Sequence, residues 1–364
     1  MVDFSKIKSS KSMEIHSVAN KLIREGKDIF SLGIGDTHFP PPFSILKNLA
    51  NLPSAYSHYS PSRGIEELRS EIALKYKSEA ENITITNGVK QGIYYALLAL
   101  KEDTVCILEP AWLGYGLTSR ICEKKLISVN FKKSNWLDQL NNRLFNVLIL
   151  CSPNNPDGKV FSKDEILSII KICRINNAYI IFDDIYHEYD YSGLFKETFS
   201  LILNYEKLIL TGGFSKSHAV TGFRIGYIIT KIKSLNNKIN LLNQNIATCA
   251  PSISQYSLLG LEKHNKEVKQ YSEYYKQNRD LVTEIIPSLM KYKPDGGFYY
   301  FIDTKDFGYK DGSIFCKKIL DEQGVVLIPG SAYGEFDSYI RLSFCVSKKT
   351  LRKALNRFKK FINV

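Results

Sequence analysis

The strongest constraint on this chain is a series of short, continuously apolar segments that alternate with helical ones between about Phe43 and Ala250. The segments are rich in β-branched residues: ITIT (83–86), TVCILEP (104–110), FNVLILCSP (145–153), AYIIFDD (178–184), KLILTGG (207–213) and RIGYIIT (224–230). Continuous apolar runs are typical of strands that are buried on both faces. The pattern therefore predicts an α/β fold with a mostly parallel sheet wrapped by helices.

Different patterns before and after this region divide the chain into three parts. Residues 1–42 predict an amphipathic helix, up to about Asp28, and a loop that consecutive prolines keep extended. The apolar face of this helix is formed by Ile15, Val18, Ala19 and Ile23. Residues 43–250 predict the large domain. Residues 251–364 predict a smaller α+β domain with a long helix over 252–290, short strands at GGFYYFID, VVLIPG and YIRLSF, and a terminal helix. We expect the N-terminal part to pack with this smaller domain.

Composition narrows the class of protein. The chain is 44% hydrophobic and 24% charged, which excludes a collagen-like or disordered protein. Its seven cysteines are scattered and form no C-x-x-C pair, so neither a zinc site nor a disulfide framework is expected. No segment approaches the roughly 18 unbroken apolar residues of a membrane span, and the first residues lack the apolar centre of a signal peptide. We expect a cytoplasmic protein with no metal and no membrane partner.

The net charge of +12 raises nucleic acid as a partner. The basic residues are dispersed, and only 30 residues precede the SLGIGD loop, too few for a helix-turn-helix domain, so we expect no nucleic-acid partner.

The C-terminal segment KKTLRKALNRFKKFINV has one apolar face, formed by Leu351, Ala354, Leu355, Phe358 and Ile362. Such a helix can lie on a membrane surface, but we favour a helix that covers the small domain.

Distinctive residues follow the first three of these strands, where parallel sheets bind their ligands. NGVKQG (87–92) opens a helix whose free N–H groups can bind an anion, and Gly88 allows close approach. Trp112 follows the next strand and could stack on a planar ligand. The turn SPNNPDG (152–158) can aim the amide of Asn155. Each of these features also has an ordinary structural explanation as a turn, a helix start or a core aromatic.

The next strand ends carry charged residues. Asp183 and Asp184 directly follow a buried strand, so a desolvated carboxylate there needs a cationic partner or caps a helix. The alternation of side chains along a strand cannot choose between them, because they face opposite sides. Lys216 lies in the Gly/Ser-rich loop after the following strand, and Arg224 comes eight residues later.

Seven motifs occur together in one order: YSPSRGIEELR (59–69), NGVKQG (87–92), EPAW (109–112), SPNNPDG (152–158), DDIY (183–186), GFSKSHAVTGFRIGY (213–227) and YIRLS (339–343). From about Ser31 to the C-terminus, the chain resembles the pyridoxal-phosphate-dependent aminotransferases of fold type I, in the aspartate/aromatic branch of class I/II. The resemblance implies pyridoxal 5'-phosphate as cofactor, and a ping-pong exchange of an amino group between an α-amino acid and a 2-oxo acid.

The resemblance implies three catalytic residues. Lys216 would form a Schiff base with the cofactor aldehyde and then move a proton between the substrate α-carbon and the cofactor C4′. Asp183, favoured over its neighbour by the D-x-x-Y spacing to Tyr186, would pair with the pyridinium nitrogen. Tyr186 and Asn155 would hydrogen-bond the ring phenolate oxygen, and Trp112 would stack on the ring.

The resemblance also implies a phosphate site. Its backbone part would be the helix start at Gly88, Val89 and Lys90. Arg224 would add a charge-assisted contact and Ser215 a hydroxyl. Tyr59 would reach the phosphate of the neighbouring subunit, which implies a homodimer with shared active sites.

The substrate would be held at the other end of the site. Arg341, in YIRLS, would clamp the substrate α-carboxylate, and the Gly35 backbone would complete that pocket together with Asn155 and Trp112. The side-chain specificity stays open: Arg63 or Lys11 could receive an acidic group, and the abundant tyrosines and phenylalanines could line an aromatic pocket.

The chain departs from the family pattern at three positions. Gly213 stands where many relatives have a phosphate-binding serine, Asp157 replaces a common threonine, and His38 stands where an acidic residue is frequent. Other chemistry on the same scaffold remains an alternative: a C–S β-lyase, a decarboxylase, histidinol-phosphate transamination or, less favoured, a cofactor-binding regulator. Arg341 argues for a substrate with a carboxylate, which histidinol phosphate lacks.

Overall fold

The computed structural model describes residues 11–362, without the side chains of residues 11–13 and 16. The α-helices are α1 (Lys11–Arg24), α2 (Phe43–Ala50), α3 (Glu66–Tyr76), α4 (Val89–Ala99), α5 (Leu113–Ile121), α6 (Trp136–Asn141), α7 (Lys163–Ile175), α8 (Phe195–Leu203), α9 (Lys233–Ile246), α10 (Ser252–Ser257), α11 (Leu261–Ile285), α12 (Gly312–Gln323) and α13 (Lys348–Phe361). The strands are β1 (Phe30–Ser31), β2 (Ile83–Thr86), β3 (Thr104–Glu109), β4 (Lys125–Asn130), β5 (Val147–Cys151), β6 (Tyr179–Asp183), β7 (Leu208–Gly213), β8 (Gly226–Ile229), β9 (Tyr299–Asp303), β10 (Val325–Val326), β11 (Ile328–Pro329) and β12 (Tyr339–Ser343).

A seven-stranded sheet forms the centre of the fold, in the order β2-β8-β7-β6-β5-β3-β4. Five neighbouring strands of this sheet run parallel: β7, β6, β5, β3 and β4. Strand β8 lies antiparallel to both β7 and β2. Helices connect the parallel strands, as the alternating sequence pattern requires. The α/β fold with a mostly parallel sheet is thus confirmed.

The central strands are buried on both faces. In β5, Ile149 belongs to one apolar core, whereas Leu148 and Leu150 belong to the other. In β6, Ile181 and Phe182 divide between the two cores in the same way. Side chains alternate across a strand, so a continuous apolar run is what a sheet covered on both sides needs.

A second, smaller group of strands is built largely from the C-terminal part of the chain. β11, β12 and β9 form an antiparallel sheet, and β1 pairs with β10 in parallel, so the N-terminal segment joins this group. Helix α13 covers it with most of the predicted face: Leu351, Ala354, Leu355 and Phe358 are buried, whereas Ile362, just after the helix, is half-buried. The domain boundaries at residues 42 and 250 remain predictions.

The single helix predicted over 252–290 is wrong. The segment forms α10, then α11, and then a 3₁₀ turn over Pro287–Tyr292. Gly260 separates the first two with a φ of +81°, a left-handed conformation that glycine adopts without a Cβ clash. The proline at 287 follows the end of α11, because proline cannot continue the hydrogen-bonded ladder.

The helix predicted up to about Asp28 ends earlier, since α1 stops at Arg24. Of its predicted apolar face, Ala19 is buried, but Val18 and Ile23 are about half exposed. The 3.6-residue period marked the helix correctly but overstated how much of that face is covered within this chain.

Strand β4 (KLISVN) has no counterpart among the predicted strands. It forms the edge of the large sheet, and its residues are mostly half-buried or exposed. An edge strand lacks the continuous apolar run by which the central strands were recognised.

None of the helices within residues 11–362 is long and apolar enough to span a bilayer. In the same residues, no group of three or more His, Cys, Asp or Glu side chains could hold a metal ion.

Two buried histidines meet where the loop after β7 touches the start of α11. The ring centroids of His218 and His264 are 5.4 Å apart, with the planes at 83°. The Nδ1 of His218 contacts the Ser217 hydroxyl at 2.8 Å, whereas both ring nitrogens of His264 are buried without a partner. Burial lowers the pKa of His264 to about 4, and it lowers the pKa of His218 well below its usual value. Both rings are therefore neutral in the folded protein at neutral pH.

This pair predicts loss of stability in mild acid. The unfolded histidines have a pKa of about 6.5, so below that pH the unfolded state binds protons that the folded state excludes, until the pH approaches the folded pKa. Between pH 6.5 and 5, the free energy of unfolding should fall by about 2 kcal/mol less in the His264→Leu variant than in the wild type. Thermal melts at these pH values measure the difference. An equally steep fall in both proteins would contradict the assignment.

Candidate active site

A cavity of about 340 Å³ lies beyond the carboxyl ends of the parallel strands. Most of the predicted site residues line it: Gly35, Val89, Lys90, Trp112, Asn155, Asp183, Tyr186, Ser215, Lys216, Arg224 and Arg341. These residues come from the N-terminal loop, from several strand ends of the large sheet, and from β12 of the small sheet. The fold thus brings together residues that are up to 307 positions apart, since Ile34 and Arg341 share the cavity.

One end of the cavity is built to receive an anion. The first N–H groups of α4, at Val89 and Lys90, have no acceptor within their own helix. Arg224 lies against this helix start, and a Cβ on Gly88 would come 2.5 Å from its Nη2. Gly88 does not line the cavity itself but makes room for the guanidinium. Burial, with the nearby charge of Arg224, lowers the pKa of Lys90.

Gly213, the position of the missing serine, is tightly packed. A Cβ there would lie 3.0 Å from the Val89 Cγ2 and 3.2 Å from the Gly226 Cα. The strand end therefore passes so close to the start of α4 that a side chain would need its neighbours to move. Ser215, two residues on, supplies a hydroxyl to the cavity.

Asp183 is a buried carboxylate fixed by two donors. The Tyr115 hydroxyl donates to its Oδ2 at 2.7 Å, and the Ile185 N–H donates to its Oδ1 at 3.2 Å. Burial raises the pKa of Asp183 to about 7, the charge of Asp184 adds to the rise, and these two hydrogen bonds oppose it. A carboxylate in this state gains from a cationic partner in the cavity. Asp184 points away, toward the hydroxyl of Tyr76.

Lys216 reaches across the cavity to the N-terminal loop. Its Nζ donates to the Gly35 carbonyl at 2.7 Å. Burial lowers the pKa of Lys216, the guanidinium groups of Arg341 and Arg224 also lower it, and Asp36 opposes the shift. A lysine with a lowered pKa is neutral, and hence usable as a base or nucleophile, over a wider pH range than an exposed one.

Arg341 organises the opposite end of the cavity. Its Nη1 donates to the Asn155 Oδ1 at 3.1 Å, its Nη2 donates to the Gly33 carbonyl at 2.5 Å, and its Nε is buried without a partner. The guanidinium carbon lies 4.1 Å from the ring centroid of Tyr299 and 5.1 Å from that of Tyr333. A buried cation with a spare donor is suited to bind a carboxylate.

The Asn155 amide connects this cation to Tyr186. Its Nδ2 donates to the Tyr186 hydroxyl at 3.3 Å, while its Oδ1 accepts from Arg341. Both side chains are buried. The turn that carries Asn155 is stabilised by Asp157, which accepts from the Asn154 Nδ2 at 2.8 Å and pairs with Lys132.

Gly35 is glycine because another side chain occupies the space beside it. A Cβ at this position would lie 1.6 Å from the Tyr299 hydroxyl. His38, further along the same loop, lies outside the cavity and bonds the Tyr275 hydroxyl through its backbone N–H at 3.2 Å and its Nδ1 at 3.0 Å.

Besides Gly88, two candidate residues do not line this cavity. Tyr59 is 87% exposed and does not line it. Arg63 is engaged elsewhere, by the Glu81 carbonyl at 3.0 Å and by the side chain of Asn236. The side chain of Lys11 lies outside the described residues.

Several cavity residues were missed by reasoning from the sequence: Asp36, Tyr115, Thr221 and Tyr299. Tyr115 had a usable signal, since it follows Trp112 by three residues at a helix start, and the two rings meet edge to face at 5.3 Å. Asp36 accepts a hydrogen bond from the Thr221 hydroxyl at 3.0 Å. No local pattern shows this contact, because the two residues are far apart in the chain.

Comparisons with known proteins identify the family of this chain. The family model for aminotransferase class I and II matches residues 27–358. The aspartate aminotransferase of Thermotoga maritima is 31% identical, over 99% of this chain and 98% of its own. The (5-formylfuran-3-yl)methyl phosphate transaminase of Methanocaldococcus jannaschii is 33% identical, over 96% of each chain.

The solved structures include a Methanococcus jannaschii protein whose active site is described as similar to those of kynurenine aminotransferases. It superposes with a TM-score of 0.90 at 32% identity, and the match covers 100% of both chains. The chain therefore belongs to the class I and II aminotransferases, enzymes that transfer amino groups with pyridoxal phosphate.

Proposed function

We propose that this aminotransferase exchanges an amino group between an α-amino acid and a 2-oxo acid in a ping-pong reaction, with Lys216 as the group that moves the proton. The observation that carries the proposal is the placement of Lys216, Asp183 and Arg341 in one cavity. Each supplies a different function: a base, an anion for a cationic ring, and a cation for a carboxylate.

The donor set of the cavity fits pyridoxal phosphate. The free N–H groups of α4, with Arg224 and Ser215, suit the phosphate, and Gly88 leaves space that a Cβ would fill. Asp183 suits the ring nitrogen, and Trp112 offers a ring face. When bound, this cofactor supplies an electron sink for the electron pair released at the substrate α-carbon.

Asp183 would hold the proton on the cofactor ring nitrogen. Its carboxylate is oriented by the Tyr115 hydroxyl, and burial makes an uncompensated charge there unfavourable. A protonated ring nitrogen removes this cost, so the pair should be favoured over either charge alone.

Lys216 would move a proton between the substrate α-carbon and the cofactor C4′. Its lowered pKa makes the free amine available at lower pH than in an exposed lysine. The Gly35 carbonyl accepts a hydrogen bond from Nζ, and it thereby holds the amine at the side of the cavity that the N-terminal loop forms.

Arg341 would bind the substrate α-carboxylate through its spare donor capacity, next to the amide of Asn155.

For the substrate side chain we propose an acidic group. Lys90 lines the cavity with its Nζ 5.2 Å from the ring centroid of Trp112, and several relatives are named aspartate aminotransferases. Aromatic donors are the second candidate, on the likeness to the structure compared with kynurenine aminotransferases.

We also propose a homodimer in which Tyr59 serves the partner's phosphate site. Tyr59 is exposed and absent from the cavity of its own chain. Nearby segments that pack together carry further exposed apolar side chains: Phe43, Leu46, Tyr56 and Ile253. Apolar side chains gathered in this way are typical of a protein interface.

The cytoplasm is the compartment we propose. All seven cysteines are free thiols, and four of them are buried in the fold. Free thiols in this number suit a reducing compartment.

The Lys216→Ala variant tests the central role. We expect kcat/KM for amino-group transfer to fall by at least 10²–10⁴-fold, the usual contribution of a general acid–base group. The measurement is the rate at which the cofactor's visible absorption band is lost after a single amino acid is added, as a function of its concentration. With the wild type, we expect aspartate and glutamate to act faster than phenylalanine. Lys196→Ala, at an exposed site on α8, is the control. Turnover by Lys216→Ala at the wild-type rate would refute the assignment.

A mixing experiment tests the shared site. Tyr59→Phe alone should weaken cofactor binding about 10- to 100-fold, because a hydrogen bond to a charged group is lost. In a mixed dimer of Tyr59→Phe and Lys216→Ala chains, the site with intact Lys216 receives intact Tyr59 from its partner. Co-expression with two tags should therefore restore one fully active site per dimer. A mixed dimer no better than Tyr59→Phe alone, or a monomer by size-exclusion chromatography, would exclude the proposal.

A further inference from the structure

We propose that Tyr299 is a positioning residue for the reaction: its hydroxyl donates to the Tyr186 hydroxyl and directs the Tyr186 proton into the cavity, while its ring supports the Arg341 guanidinium. The inference rests on the proposed function, from which the role of Arg341 is taken, and on the role that the family resemblance gives Tyr186, a hydrogen bond to the phenolate oxygen of the cofactor ring. It adds a residue that would control both the cofactor end and the substrate end of the site.

Strand pairing places Tyr299 beside Arg341. In the antiparallel pair of β9 and β12, Tyr299 lies opposite Ser343, and Arg341 lies opposite Phe301. Arg341 is therefore on the same face as Tyr299, one diagonal step away, within reach of a long side chain. The ring centroid of Tyr299 is 4.1 Å from the guanidinium carbon, and the residue is buried.

The hydrogen bonds around Tyr186 have a direction that can be derived. A guanidinium can only donate, so the Asn155 Oδ1 faces Arg341 and the Asn155 Nδ2 faces the Tyr186 oxygen. The Tyr186 oxygen therefore accepts one bond already. Its second neighbour is the Tyr299 hydroxyl at 3.2 Å.

Two arrangements of the Tyr186–Tyr299 bond are available. If Tyr186 donates to Tyr299, its only proton is used within the protein. If Tyr299 donates instead, both acceptor positions of Tyr186 are filled, and its proton is free for an oxygen in the cavity. An anionic cofactor oxygen in the cavity favours the second arrangement, because it accepts a hydrogen bond more strongly than a neutral phenol does.

The position of Tyr299 is itself fixed. Its hydroxyl occupies the space beside Gly35, whose carbonyl accepts from Lys216. The hydroxyl therefore cannot move toward the N-terminal loop without a clash, and it stays within reach of Tyr186.

The test separates the hydroxyl of Tyr299 from its ring. Tyr299→Phe should raise the pH midpoint of the cofactor's visible absorption change by about 0.5–1 unit, since a weaker Tyr186 contact destabilises the ionised cofactor oxygen. It should change the KM for the amino acid by less than about threefold, because the ring stays under Arg341. Tyr299→Leu should shift the midpoint similarly and also raise KM about tenfold.

Tyr300→Phe is the matched control. Tyr300 is the next residue on β9, it is equally buried, and its hydroxyl donates to the Arg279 carbonyl at 2.7 Å, away from the cavity. This variant should leave the midpoint at the wild-type value, while losing one hydrogen bond of comparable worth to stability.

Tyr186→Phe separates failure of this inference from failure of the proposed function. If Tyr186→Phe moves the midpoint and Tyr299→Phe does not, Tyr299 does not position Tyr186 and the inference is overturned, while the proposed function stands. If Tyr186→Phe leaves the midpoint unchanged as well, the role proposed for Tyr186 fails, and the inference fails with it. A shift in both variants, with Tyr300→Phe unchanged, supports the inference.

Discussion

A buried guanidinium holds this site together. Arg341 bonds the carbonyl of Gly33 in the N-terminal loop and the amide of Asn155 in a turn of the large sheet, while its own backbone belongs to β12. Removing a cation from water is costly unless donors and acceptors replace the solvent. Around Arg341, two hydrogen bonds and two tyrosine rings replace most of the solvent, and the Nε remains unpartnered. The fold thus retains a local electrostatic cost that a bound carboxylate would relieve.

Burial is also costly at Asp183, where the buried group is an anion instead of a cation. This carboxylate is buried at the end of β6, and its two donors offset only part of the cost of burial. The two charged groups face one cavity, and a chain of hydrogen bonds runs from Arg341 through Asn155 to Tyr186, three residues after Asp183. The scaffold therefore presents a cation for one part of a ligand and an anion for another, at positions fixed by strands rather than by flexible loops.

Much of this arrangement could be predicted from the sequence, because the information is local. Asp183 ends a buried strand, and Lys216 lies in the loop after the next strand, so the parallel pattern alone brings them to the same sheet edge. What could not be predicted depends on pairing between distant segments. The contact of Tyr299 with Tyr186 joins β9 to the end of β6, and no periodicity specifies it. Strand β4 was missed for a related reason, since an edge strand needs no continuous apolar run. The break at Gly260 was missed because the apolar pattern continues on both sides of it.

Gly35 and Tyr299 together have a consequence for how this site can change over evolution. The tyrosine hydroxyl fills the volume in which any side chain at position 35 would start, and the backbone at that position carries the carbonyl that meets Lys216. A larger residue at 35 is therefore compatible with the fold only after position 299 has become smaller. The two positions form an epistatic pair, in which the order of substitutions decides whether an intermediate sequence keeps its loop in place. Transplanting the N-terminal loop from a relative into this chain would have to carry the residue at 299 with it.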